Sequence, residues 1–172
     1  LKARDVAVLA FILIVAALIR FSEAGRVEFF HDEAMLSMLA QEMADGQTFP
    51  LTGIVSSVGL PNPPTSVWVM ALPYLFNSSP LVATLFVAAL NVIGVGVLWF
   101  IARRYLGATV ALIAALVYAL NPWAVLYSRK IWAQDFMTPF ILLAVLLALY
   151  GLIEGKRWAR VVALPLMLFA AQ

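Results

Sequence analysis

Four apolar stretches fix what this chain can fold into. Residues 6–21, 80–102, 107–126 and 136–153 each come close to the roughly 20 residues with which a helix crosses a hydrocarbon core about 30 Å thick. A fifth begins at residue 161 and runs on to residue 172. Hydrophobic residues make up 65% of the 172, and charged ones only 12%. A soluble domain of this size leaves too many residues in water to hide that much apolar surface. The expected fold is all-α: a polytopic transmembrane helical bundle. The chain opens on Leu1 and its last apolar run stops partway. Residues 1–172 are therefore expected to be the N-terminal part of a single integral-membrane domain. Lys2 and Arg4 ahead of the first run resemble a signal peptide, but Arg20 fits poorly before a cleavage site and further spans follow. Absence of cysteine excludes disulfides, thiol nucleophiles and Cys-bound metals. A net charge of +2 with no long basic run gives no footing for nucleic acid.

Residues 66–76 are apolar but too few to cross, so they are predicted to form a short helix at the membrane interface. The basic residues test this, because Lys and Arg favour the cytoplasmic side of short loops. If 66–76 does not cross, seven basic residues (Lys2, Arg4, Arg103, Arg104, Lys156, Arg157, Arg160) lie inside and three (Arg26, Arg129, Lys130) outside, with Arg20 at a boundary. If it crosses, the split becomes four inside against six outside. The first topology is adopted. Residues 22–79 then form one long external loop, and residues 127–135 face the same side.

Within that loop, Met35, Met38, Leu39 and Met43 fall at helical spacing, with Ser37, Gln41, Glu42 and Asp45 on the other face. A short amphipathic helix is predicted from Asp32, as its N-cap, to Gly46, as its stop. Pro50, Pro61, Pro63 and Pro64 then forbid a continuous helix.

Six of the nine acids crowd into residues 23–45, with Asp32 and Glu33 adjacent and His31 before them. Helix capping explains such a pair, since carboxylates are favoured at a helix N-terminus by about 0.3–1 kcal/mol. The same pair beside a water-poor surface also suits proton abstraction from a hydroxyl, because low polarity raises a carboxyl's pKa and neighbouring acids push each other's apart. Asp135, at the outer end of the next loop, reads either as a cap for a helix starting at Phe136 or as a further site acid. Arg129 and Lys130 are exceptions to the charge rule. They either anchor to headgroups beside Trp123, Tyr127 and Trp132 or meet an anionic phosphate, for which an Arg fork is well shaped. A lone His31 does not make a His-rich metal site.

The order of these pieces ("HDEA", "DGQTFPLTG", "PNPPTSVWV", "YSRKIWAQD") resembles the N-terminal module of polyprenyl-phosphate-dependent glycosyltransferases of the GT-C superfamily. Protein O-mannosyltransferases and the bacterial lipid A aminoarabinose transferases are the members it is most similar to. The resemblance implies an integral enzyme of the plasma (inner) membrane with its active site on the external face. It would move a sugar, with inversion, from a polyprenyl-phosphate donor to a protein or lipid acceptor. It implies Asp32 as catalytic base with Glu33 beside it, and a substrate-contacting set of His31, Asn62, Pro64, Trp68, Arg129 and Asp135. Asn62 stands where the aminoarabinose branch often has a Lys on the donor phosphate, which shifts that role toward Arg129. Oligosaccharyltransferase relatives hold a divalent metal with an Asp-x-Asp pair; here the sequence is Gln134-Asp135-Phe136, so no cofactor is assigned and a divalent metal is left open as the alternative. A transporter and a non-catalytic membrane scaffold are the alternatives. The transporter lacks acids inside any predicted span, where polar residues such as Asn91 are few.

Overall fold

A computed structural model describes residues 3–56 and 58–171. Leu1, Lys2, Ser57 and Gln172 lie outside the described residues. The described chain is helical: α1 (Ala3–Phe21), α2 (His31–Ala44), α3 (Thr65–Tyr74), α4 (Pro80–Tyr105), α5 (Ala108–Leu120), α6 (Pro122–Tyr127), α7 (Ala133–Phe136), α8 (Thr138–Leu152) and α9 (Arg157–Ala170), with a 3-10 turn at Ala24–Arg26. One isolated antiparallel bridge joins Val55 to Pro61.

α4 is the spine. Ser79 accepts the Leu81 N–H at its start and Pro80 occupies the first turn, where its missing N–H costs nothing. Among the described residues it is the one helix both long and apolar enough to cross a membrane by itself. The predicted span 107–126 is instead two helices. Asn121 accepts the N–H groups of Trp123 and Ala124 at 2.9 and 3.2 Å, capping a new helix, and Pro122 cannot donate back to α5. The predicted span 136–153 is essentially one helix, α8, which begins at Thr138, two residues later than predicted, and carries Pro139 in its first turn; the short α7 precedes it. α9 starts at Arg157, four residues before its predicted beginning.

α1, α4 and α5 pack through small residues: Ala16, Ala102, Ala111, Ala115 and Ala119 are fully or almost fully buried. The alanines of α5 recur every fourth residue, so one face lets the backbones approach closely. Large apolar side chains point the other way, with Phe11, Leu18, Ile93, Ile113 and Val117 exposed. Interior small and exterior greasy is the arrangement a lipid-solvated bundle requires.

α2 and α3 pack on each other and on α4 and α7 in a second cluster around Leu36, Ala40, Val67, Met70, Val87, Phe136 and Met137. The face of α2 differs from the predicted one. Glu33, Leu36, Ser37 and Ala40 are its buried residues, while Met38 is exposed. A spacing of three and four residues holds in both readings; α3 chooses which stripe is inside. α3 is 10 residues long, about 15 Å, and too short to cross. It is mostly buried between α2 and α4, and only Leu72, Leu75 and Phe76 near its end are exposed.

α9 lies against α8 so closely that a Cβ on Gly151 would sit 2.2 Å from Arg160 Cγ and 3.0 Å from the Arg160 backbone nitrogen. Backbone cannot yield cheaply. Gly151→Ala is therefore expected to force α9 outward and cost about 1–3 kcal/mol, the usual penalty for overpacking. A thermal melt of the purified variant reads this, and an unchanged melting temperature would mean that the two helices separate freely.

Candidate active site

The chain has a polar group of contacts at each end of the bundle. At one end, Arg103 meets Asp5 at 2.8 Å, and Arg104 grips Glu154 with two bonds of 2.6 and 2.7 Å. At the other end, the segments 23–33 and 126–135 come together. This is the pairing of loops that the topology predicts.

Two arginines build that second end by capping each other's surroundings. Arg20, in the last turn of α1, is fully buried, yet its guanidinium donates to the carbonyls of Ala119 and Tyr118 at 2.9 Å each. Those carbonyls belong to the last turn of α5, where the break at Asn121-Pro122 leaves them without helical partners. Arg129 does the same for α1. Its Nε donates to the Arg20 carbonyl at 3.2 Å and its Nη2 to the Ile19 carbonyl. The fork expected to stand ready for phosphate is thus applied to a helix C-terminus, where cations are favoured.

Lys130 faces the acids instead. Its Nζ stands 3.8 Å from Glu33 Oε1 and 5.0 Å from the centre of the Phe30 ring. Glu33 is buried, and its Oε2 accepts the Phe30 N–H at 2.6 Å. This corrects the predicted cap: Phe30 is the N-cap residue of α2, and Glu33 reaches back to its amide while Asp32 stays exposed. The helical step of about 100° turns adjacent side chains to different faces. Asp135 also differs from its predicted capping role. It lies inside the short α7, whose N-cap position is Trp132, and its Oδ2 is buried without a hydrogen-bond partner. Its backbone carbonyl is held by Asn91 Nδ2 at 2.8 Å, and Tyr118 Oη donates to Asn91 Oδ1 at 2.9 Å.

Burial pushes the Asp135 carboxyl up to about 7; Lys130 pulls the other way and Glu33 adds to the rise. The folded chain thus binds this proton more tightly than the unfolded chain, whose Asp titrates near 4. The stabilisation is complete below pH ~4 and is lost as pH rises through about 7. Asp135→Asn is expected to flatten the decline in melting temperature between pH ~4.5 and ~7.5. If the variant and the parent decline in parallel, the carboxyl is not the source.

A cavity of about 150 Å³ opens between the two segments, with Glu28, Glu33, Thr84, Arg129 and Lys130 on its wall. It adjoins a wider groove of about 520 Å³ that shares Glu28, Arg129 and Lys130 and adds Glu23 and Arg26. Of the predicted site residues, the cleft gathers Glu33 and Arg129, and Asp135 is coupled to it through Lys130 and Glu33. His31 and Asp32 are exposed on the first turn of α2. Asn62, Pro64 and Trp68 do not line it. Asn62 is exposed in a hairpin, its N–H bonded to Ile54, and Pro64 is the N-cap residue of α3. Trp68 stacks on Phe49 and donates Nε1 to the Pro50 carbonyl at 2.9 Å, pinning the loop before the hairpin. Lys130 and Arg20 are the residues that sequence reasoning undervalued. Among the described residues, no three His, Asp or Glu side chains converge in a way that could hold an ion.

The sequence profile of the dolichyl-phosphate-mannose-protein mannosyltransferase family matches residues 61–171, a segment that includes Arg129, Lys130 and Asp135 and begins after the acidic pair. No curated protein and no solved structure matches the chain. The match covers well over half of the 172 residues, and the chain belongs to the dolichyl-phosphate-mannose-protein mannosyltransferase family, whose members are membrane-integral glycosyltransferases.

Proposed function

We propose that the chain carries the catalytic end of a polytopic glycosyltransferase of the plasma membrane. It transfers a sugar from a polyprenyl-phosphate donor to a hydroxyl of a protein or lipid acceptor on the external face, with inversion. The observation that carries this reading is the contact between Lys130 and Glu33, which joins two segments almost a hundred residues apart around one polar cleft. In the proposed topology α1, α4, the broken pair α5–α6, α8 and α9 cross the bilayer. The ion pairs of Asp5, Arg103, Arg104 and Glu154 then lie inside and the cleft outside.

Asp32 is the base. It is exposed, so an acceptor hydroxyl reaches it, and its neighbour Glu33 is locked by the Phe30 amide and Lys130. Glu33 acts by holding the first turn of α2 in register rather than by taking the proton. Lys130 and Arg129, both on the cleft wall, supply positive charge for the phosphate as it leaves, an electrostatic role that needs no nucleotide pocket.

The test is transfer by the full-length protein in proteoliposomes, comparing a polyprenyl-phosphate-linked sugar with the corresponding nucleotide sugar. Transfer from the lipid-linked donor alone, with an inverted anomeric centre, is expected. Transfer from the nucleotide sugar without any lipid intermediate would overturn the reading.

A further inference from the structure

We infer that the hairpin at residues 53–62 inserts its tip into the hydrocarbon boundary of the bilayer that holds α4. The tip is built of exposed apolar side chains: Val55, Val58 and Leu60 are two-thirds or more exposed, and Leu51 just before it is 76% exposed. Single exposed apolar residues are ordinary on any protein, but a cluster on one projecting turn is not.

The backbone of this turn is equipped to leave water. Ser56 N–H and its hydroxyl both donate to the Leu60 carbonyl at 2.8 and 2.7 Å, and Gly59 N–H donates to Ser56 at 2.9 Å. Below them, Asn62 N–H donates to Ile54 and Gly53 N–H to Asn62. Pairing these groups internally removes part of the cost of an apolar surrounding. Gly59, at φ +78°, makes the turn possible without strain.

Charge supplies the argument for a lipid occupant over a protein one. Between Asp45 and Arg103 the chain has no Asp, Glu, Lys or Arg. A loop edged by a protein partner ordinarily carries a partly charged rim; the polar residues of this one are all uncharged, from Gly46 up to Arg103 in the last turn of α4. The hairpin is also continuous with the membrane-spanning part of the chain, since exposed Leu72, Leu75 and Phe76 lead directly into α4. Its base is fixed rather than loose: Phe49 stacks on Trp68 with ring centres 5.5 Å apart, and Trp68 holds the Pro50 carbonyl. A rigidly presented apolar turn acts as an anchor that sets the height of α2 and α3 over the membrane.

The chain has no cysteine, so Val58→Cys, Leu60→Cys and, as an aqueous reference, Asp45→Cys each give a single site for a nitroxide label in the full-length protein. Collision rates in liposomes with oxygen, which concentrates in lipid, and with a neutral nickel chelate, which stays in water, read the surroundings independently of activity. At positions 58 and 60 oxygen collisions are expected to exceed nickel collisions several-fold, with the reverse at 45. High nickel collisions at 58 and 60 would overturn the inference in favour of a solvated loop. Low collisions with both reagents would overturn it in favour of a protein cover, whether a second copy or another part of the chain. Neither result bears on whether the protein transfers sugar.

Discussion

Asp32→Asn is expected to leave the fold intact and to lower turnover by about two to four orders of magnitude, the range for loss of a general base. The fold survives because Asp32 is exposed and the capping of α2 is performed by Glu33. The amide has the shape of the carboxylate but cannot take a proton. Glu33→Gln separates the two roles. If Glu33 only fixes the turn, its variant loses stability and retains most of the turnover of whatever fraction folds. Initial rates per folded molecule at saturating donor decide the matter. Near-normal turnover in folded Asp32→Asn sinks the assignment, and a larger loss in Glu33→Gln than in Asp32→Asn moves the base to Glu33.

Much of this arrangement was legible because it rests on long patterns. Apolar runs placed α1, α4, α5, α8 and α9, and the counting of basic residues put 22–79 and 127–135 on one side. The contacts of Arg129 with α1 and of Lys130 with Glu33 put those segments at one end. What was missed rests on single residues. The break of α5 was signalled by Asn121-Pro122, a cap followed by a residue with no N–H, and the apolar run overrode it. The Glu33 cap also had a signal: an acid three residues after the residue that precedes the helix. No sequence signal exists for Arg20. An arginine at the end of an apolar helix ordinarily snorkels to the interface, and only the α5 carbonyls it meets in three dimensions explain its burial. Nor does periodicity choose between adjacent Arg129 and Lys130. The turn after α6 directs one to the carbonyls of α1 and the other to Glu33.

That last choice sets up the second large effect. Lys130 and Glu33 form a buried pair, with 12% and 2% of their side chains exposed. Both charges have been taken out of water, and at 3.8 Å they are close enough to attract but not to hydrogen-bond. The pair therefore adds little stability over an uncharged replacement, yet either charge alone is costly, because a lone buried ion has nothing to offset its lost hydration. Lys130→Met removes the cation and keeps its apolar stem against Phe30. It is expected to destabilise the protein by about 3–5 kcal/mol. It also removes the influence that opposes the rise at Asp135, so that carboxyl titrates still higher. Adding Glu33→Gln to Lys130→Met should return most of the loss, with a coupling of about 0.5–3 kcal/mol between the two positions. Arg129→Met, whose partners are carbonyls rather than an acid, should show no such rescue by Glu33→Gln. Unfolding of the four proteins, parent, two singles and double, at pH ~7.5 completes the cycle. Additive losses would mean that water reaches the pair and screens it, and that Lys130 does not hold Glu33 in place.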